Sequence, residues 1–138
     1  MSDRSTIVCV DDNDMILVAL KQELVEHFKG SYRIETAISA QEALHIMDEL
    51  VEEKVRIPLV ISDWLMPGMN GDEFLIRVNE KFPNTKALIV TGYADMIAVS
   101  KSRNKINLRG IITKPWDKNE LIKKVESCLN NKTFDFVR

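Results

Sequence analysis

Five short apolar runs, each followed by a longer stretch of helical period, punctuate the chain: Thr6 to Val10 (β1), Tyr32 to Ala37 (β2), Leu59 to Ser62 (β3), Ala87 to Thr91 (β4) and Gly110 to Thr113 (β5). Runs this short and this rich in Ile, Val and Leu suit strands buried on both faces, and the segments between them supply the crossovers that a parallel sheet needs. The repeated strand-helix unit predicts an α/β protein, a single doubly wound parallel sheet with helices on both sides. At 138 residues, with 45% hydrophobic and 29% charged residues, the chain has the size and balance of one globular domain. The expected division is one domain over 1–130 and a short tail over 131–138.

The helices announce themselves by spacing and caps. Leu17, Leu20, Leu24 and Phe28 recur at three- and four-residue steps on a helix that ends before Gly30, with Asp14 read as its N-cap. Ser39 followed by Glu42 reads as a capping box, continued by Ala43, Leu44, Met47, Leu50 and Val51. Gly71 to Phe82 forms a third helix with Phe74, Leu75 and Val78 inward, closed by Pro83. A fourth is expected within Ala94 to Lys105, where apolar anchors are few and the end is basic (Lys101, Arg103, Lys105 and Arg109). A solvated charged face is the simpler reading of that basic cluster, a docking patch the sharper one. The last helix starts at Asp117, with Glu120 three residues on, and buries Leu121, Ile122, Val125, Cys128 and Leu129.

The net charge of -2 gives no general attraction to nucleic acid or to an anionic membrane, and no apolar run approaches the roughly 18 residues of a span. A cytoplasmic protein without direct nucleic-acid or membrane binding is expected. Cys9 and Cys128 lie in apolar patterns without metal-ligand or redox spacing and read as small core residues.

In a sheet of this kind ligands bind beyond the carboxyl ends of the strands, and four of the five strands deliver a reactive group there. Asp11 and Asp12 follow β1, Asp63 follows β3, Thr91 ends β4 and Lys114 follows β5. Carboxylates converging on one site repel unless a cation joins them, and hard oxygen ligands select Mg²⁺, with Mn²⁺ as substitute. Such an ion leaves coordination positions for phosphate oxygens and neutralises charge on a transferring phosphoryl group. Asp63 is then a candidate nucleophile that forms an aspartyl phosphate, with Lys114 as a point cation and Thr91 as a hydroxyl donor for the product. Pro115 makes the Lys114-Pro115 bond a candidate cis peptide.

Taken singly these residues have blander readings. A lone Asp after a strand is more often a turn residue or cap, and His27 and His45 read as solvated helix residues. Trp64 is either a partly exposed reporter or packing, and Met66 and Met69 are packing. Together and in order, Asp11-Asp12, the stretch Asp63-Trp64-Leu65-Met66-Pro67-Gly68-Met69-Asn70-Gly71, Thr91-Gly92 and Lys114-Pro115 carry a family likeness. From Ile7 to about Leu129 the chain resembles a response-regulator receiver domain of bacterial two-component signalling.

That resemblance implies a flavodoxin-like (βα)5 fold with strand order 2-1-3-4-5. It implies that Asp63 accepts a phosphoryl group from a sensor histidine kinase or phosphotransfer protein. Mg²⁺ would be ligated by Asp12, Asp63 and the backbone carbonyl of Leu65, with Asp11 assisting through water. Thr91 and Lys114 would sense the phosphoryl group, and autodephosphorylation would be tuned by neighbours of the site, here Leu65, Gly92 and Tyr93. The output would be a changed surface read by a downstream protein or a fused effector domain, and the fourth helix, β5 and fifth helix would form a face for a homodimer. The chain departs from the family pattern at Ile111, where many receivers carry Tyr or Phe three residues before the lysine; isoleucine cannot give a buried-versus-exposed ring at that position, and Tyr93 is the candidate substitute.

Two other functions compete. A haloacid-dehalogenase-like phosphatase also uses an aspartyl nucleophile with Mg²⁺, and Asp12-Asn13-Asp14 imitates its motif but leaves Asp63 unexplained. A phosphate-independent, receiver-like scaffold would not need the full acidic, Thr and Lys set. The reading favoured here is a switch that catalyses only its own phosphorylation and dephosphorylation.

Overall fold

The computed structural model describes residues 5–92 and 106–130. Within them run β1 (Thr6–Val10), α1 (Asp14–Phe28), β2 (Arg33–Ala37), α2 (Ala40–Glu52), β3 (Leu59–Ser62), α3 (Gly71–Lys81), β4 (Lys86–Thr91), β5 (Leu108–Thr113) and α4 (Lys118–Leu129). Here α4 is the helix expected from Asp117; Tyr93 and the helical stretch expected in Ala94 to Lys105 lie outside the described residues. Every strand pairing is parallel and the order is β2-β1-β3-β4-β5. The chain thus steps from β1 to one side and then crosses back to the other, which makes the gap between β1 and β3 the switch point where such sheets bind ligands.

Alternation along the strands divides the apolar side chains between two layers. Val8, Val10, Val60, Ala87 and Ile89 face α2 and α3, where Met47, Phe74, Leu75 and Val78 are buried. Ile7, Cys9, Leu59, Ile61, Leu88 and Val90 face α1 and α4, against Leu17, Leu20, Leu24, Leu121 and Val125. A strand buried on both sides has no polar face to show, which is why these runs read as continuous rather than alternating hydrophobicity.

β5 begins two residues earlier than its sequence suggested. Leu108 pairs with Ala87, a register shift carries the chain past the exposed Arg109, and Gly110 then meets Leu88. A Cβ on Gly110 would lie 3.1 Å from Cδ2 of Leu88, so the glycine makes room for that core leucine. The N-cap of α1 is also corrected. Asn13, not Asp14, has the extended cap conformation, and its side-chain oxygen accepts the amides of Met15 and Ile16 at 2.9 and 3.4 Å. Asp14 is instead the first helical residue, where its charge suits the positive end of the helix dipole. Ser39 and Asp117 cap α2 and α4 through the amides of Glu42 and Glu120.

Three polar contacts fasten α1 to the segment around α4: Trp116 Nε1 donates to Glu23 Oε1 at 2.9 Å, His27 Nε2 meets Glu126 at 2.7 Å, and Lys118 Nζ lies 3.6 Å from Glu26. His45 pairs with Glu49 one turn along α2. No helix among the described residues is long and apolar enough to cross a membrane.

Both cysteines are buried and free. Burial pushes the Cys9 thiol up to about 12, only partly opposed by Lys21, and burial likewise raises Cys128. Because the folded value of Cys9 exceeds the unfolded one, its contribution to stability falls as pH rises from the ordinary thiol range towards the folded value. An alkylating reagent just above neutral pH is expected to label neither cysteine in the native protein and both in denaturant, counted by intact mass. Native labelling of Cys9 at the denatured rate would contradict its place in the core.

Candidate functional site

The sheet's own hydrogen-bond ladder runs one residue past three strand ends and sets the residues there. The Asp11 amide donates to Ala37, the Asp63 amide to Val10 and the Lys114 amide to Thr91, at 3.1, 3.0 and 2.9 Å. Side chains that the sequence scatters over a hundred positions are thereby anchored at one edge of a rigid scaffold.

Ligand oxygens of Asp11, Asp12 and Asp63 lie within 4.8 Å of one another at the switch point. Asp11 and Asp63 are buried and Asp12 is exposed. Lys114 reaches over from β5 and places Nζ 2.9 Å from Asp11 and 3.1 Å from Asp63. The remaining carboxylate oxygens are also directed: the Asn13 amide donates to Asp11 Oδ1 at 2.9 Å, and the Trp64 amide to Asp63 Oδ1 at 2.7 Å. Ser62 Oγ donates to the Asp63 carbonyl at 2.8 Å. Sequence reasoning passed over Asn13 and Ser62. Their signal was only adjacency to an acidic residue, which many surface turns share.

Burial is the largest influence on both partners of the central ion pair. It raises Asp11, and the Asp63 charge raises it further, against the hydrogen bonds from Lys114 and Asn13 that pull it down. Burial lowers Lys114, but its bonds to and charges from Asp11 and Asp63 together outweigh that and hold the ammonium above its ordinary value. Lys114 therefore stays charged and pairs with two of the three carboxylates, Asp11 and Asp63, which leaves Asp12 beside them without a share of that cation's contacts. That surplus of negative charge on hard oxygen donors fits a small divalent cation such as Mg²⁺.

The other expected site residues fall around this centre. Thr91 ends β4 fully buried, and its carbonyl holds Lys114. Leu65 is 55% exposed, two residues beyond Asp63, whereas Trp64, Met66 and Met69 are buried in the α2–α3 layer. Trp64 is thus packing rather than a partly exposed ring. Ile111 is partly buried and packs on the same layer, Gly92 is half-buried, and the Lys114-Pro115 peptide is cis. Asp14, which the competing phosphatase motif would recruit, stands outside the acidic cluster in the first turn of α1.

The chain belongs to the response regulator receiver domain family, whose model matches residues 7–126. It is 32% identical over 130 residues to the hydrogenase transcriptional regulatory protein HoxA of Cupriavidus necator, covering 94% of this chain and 25% of that protein. The chain thus spans about a quarter of the length of the first such relatives. Among solved structures it resembles the signal receiver domain of an HD domain-containing protein from Pseudomonas fluorescens, with a TM-score of 0.81, 28% identity, and 94% and 98% of the two chains covered. A CheY-like receiver domain protein from Methanospirillum hungatei superposes with a TM-score of 0.79 and 30% identity, covering 95% and 98%. Phosphotransfer in two-component signalling is the general function of this family, its members generally bind Mg²⁺, and the chain is a signalling domain of that kind.

Proposed function

We propose that Asp63 is the phosphoryl acceptor of this domain. The observation that carries the reading is the pairing of Lys114 with both Asp11 and Asp63 inside the acidic cluster, which sets the Asp63 carboxylate between a cation and a donor set suited to a metal. A carboxylate oxygen of Asp63 attacks the phosphorus of a phosphohistidine on a histidine kinase or phosphotransfer protein. The P–O bond forms as the P–N bond breaks, and the leaving imidazole takes up a proton. Asp12, Asp63 and the Leu65 carbonyl would hold Mg²⁺, with Asp11 acting through water; the ion supplies charge neutralisation at the phosphoryl oxygens.

Lys114 can then transfer its hydrogen bond from Asp63 to a phosphoryl oxygen, while the Thr91 hydroxyl donates to a second. Phosphate thereby biases two conformers of the domain, and the output is an altered protein-binding surface read by a downstream or fused effector. Leu65, two residues after the acceptor, and Gly92 and Tyr93, which follow Thr91 in sequence, tune how readily water removes the phosphate. With Ile111 in place of an aromatic ring, the readout runs through Lys114 and the β4 end rather than a ring flip.

The test is intact mass after incubation with acetyl phosphate and Mg²⁺. One added phosphoryl group is expected, lost in chelator and lost in Asp63→Asn. A modified Asp63→Asn protein would move the acceptor elsewhere, and turnover of a simple phosphate ester would favour the phosphatase alternative.

A further inference from the structure

The loop from Asp63 to Gly71 leaves β3 and returns to almost the same point. Its neck is closed where the Gly71 amide donates to the Trp64 carbonyl at 2.6 Å. Above the neck Trp64, Met66 and Met69 turn into the α2–α3 layer, Gly68 takes a positive φ of 87°, and the Met69 amide closes on Pro67. At the neck itself the approach is closer than any side chain permits. A Cβ on Gly71 would lie 2.5 Å from the Asp63 carbonyl oxygen, 2.8 Å from Trp64 Cα and 2.9 Å from the Trp64 carbonyl oxygen.

All three of those atoms are backbone, so no side-chain rotation relieves the clash. The Asp63–Trp64 peptide would have to move by roughly half an ångström or more. That peptide carries the acceptor carboxylate, it supplies the Trp64 amide that orients Asp63 Oδ1, and it leads directly into the Leu65 carbonyl. On the other side of the neck it is tied by the Asp63 amide to Val10 and by its carbonyl to Ser62, so the strand end cannot simply slide.

We infer that Gly71 is a positioning residue for the phosphoacceptor: by lacking a side chain it lets the start of α3 press the Asp63–Trp64 peptide into the one placement in which Asp63 and the Leu65 carbonyl converge on a metal. The inference rests on the proposed role of Asp63. A site that tolerates about 0.5 Å of error before losing its geometry, and that loses on the order of a hundredfold for 1 Å, makes the cost functional as well as structural.

The experiment compares Mg²⁺ affinity by calorimetry, and acetyl phosphate uptake by mass, in wild type, Gly71→Ala and Gly110→Ala. Gly110 serves as control because its added Cβ would meet the Leu88 and Lys124 side chains, away from the acidic cluster. Gly71→Ala is expected to weaken Mg²⁺ binding tenfold or more and to slow uptake by about ten- to a hundredfold, while Gly110→Ala loses stability with Mg²⁺ affinity unchanged. Should Gly71→Ala not fold in plain buffer, all three proteins are measured in an osmolyte that favours the compact state. Equal Mg²⁺ affinity in Gly71→Ala and wild type, or equal weakening in Gly110→Ala, overturns the inference while the reading of Asp63 stands. No Mg²⁺ binding by wild type removes that reading and this one together.

Discussion

Replacing Asp63 with asparagine is expected to raise the melting temperature in chelating buffer even though it removes the proposed acceptor. Like charges about 5 Å apart cost roughly 3 kcal/mol at an effective dielectric constant near 20. The oxygens of Asp11, Asp12 and Asp63 lie within 4.8 Å, with Lys114 as the shared cation. Neutralising Asp63 relieves two repulsions and forfeits one attraction, while the asparagine oxygen can still accept the Trp64 amide. After partial cancellation a gain of about 1 kcal/mol is expected, or roughly 3–6 °C for a domain of this size.

Saturating Mg²⁺ should reverse the order. Wild type gains about 2.7 kcal/mol when the ion stands a hundredfold above its dissociation constant, and the variant lacks one of the ligands that would deliver this. Thermal melts by circular dichroism, with chelator and with Mg²⁺, read both halves. A variant that melts below wild type in chelator would mean that Lys114 already compensates the cluster and that the charge argument for a metal is weak.

Truncating Phe74 to alanine should cost about 3–5 kcal/mol, a large share of the roughly 5–15 kcal/mol that holds a domain together. Phe74 is completely buried in the α2–α3 layer, in one apolar cluster with Val60, Trp64 and Leu75, and close-packed neighbours cannot collapse into the space it leaves. In urea the midpoint should fall by roughly 2 M with an unchanged slope. Met15→Ala, at a position 78% exposed, should move stability by no more than about 0.5 kcal/mol. A Phe74→Ala loss below about 1.5 kcal/mol would show that the layer is looser than its burial implies.

Where one physical pressure decides, the sequence is explicit. A strand covered on both faces must be apolar throughout, so Thr6–Val10 and Leu59–Ser62 stand out and locate Asp11, Asp12 and Asp63 at their ends. Where two residues satisfy the same local chemistry, it is silent. Asn13 and Asp14 are both good caps, and only the backbone path chooses Asn13. The start of β5 at Leu108 is not legible, because the exposed Arg109 follows it and a register shift that carries a charged side chain outward leaves no periodic mark. Gly71 was visible as part of a motif, but the reason it must be glycine is a contact with the peptide of Asp63, eight positions away in sequence.

The hydrogen bond from Trp116 to Glu23 has a practical consequence. Of the two tryptophans one, Trp64, is sealed in the core, while the half-buried Trp116 sits two residues beyond the lysine that grips Asp63, its indole tied to a neighbouring helix by a carboxylate. A withdrawal of Lys114 from Asp63 that shifts the backbone leading to Trp116 should change the emission of the indole. The unlabelled protein then carries its own clock hand: the decay of a light signal after a pulse of phosphodonor would time how long the domain remembers its last stimulus.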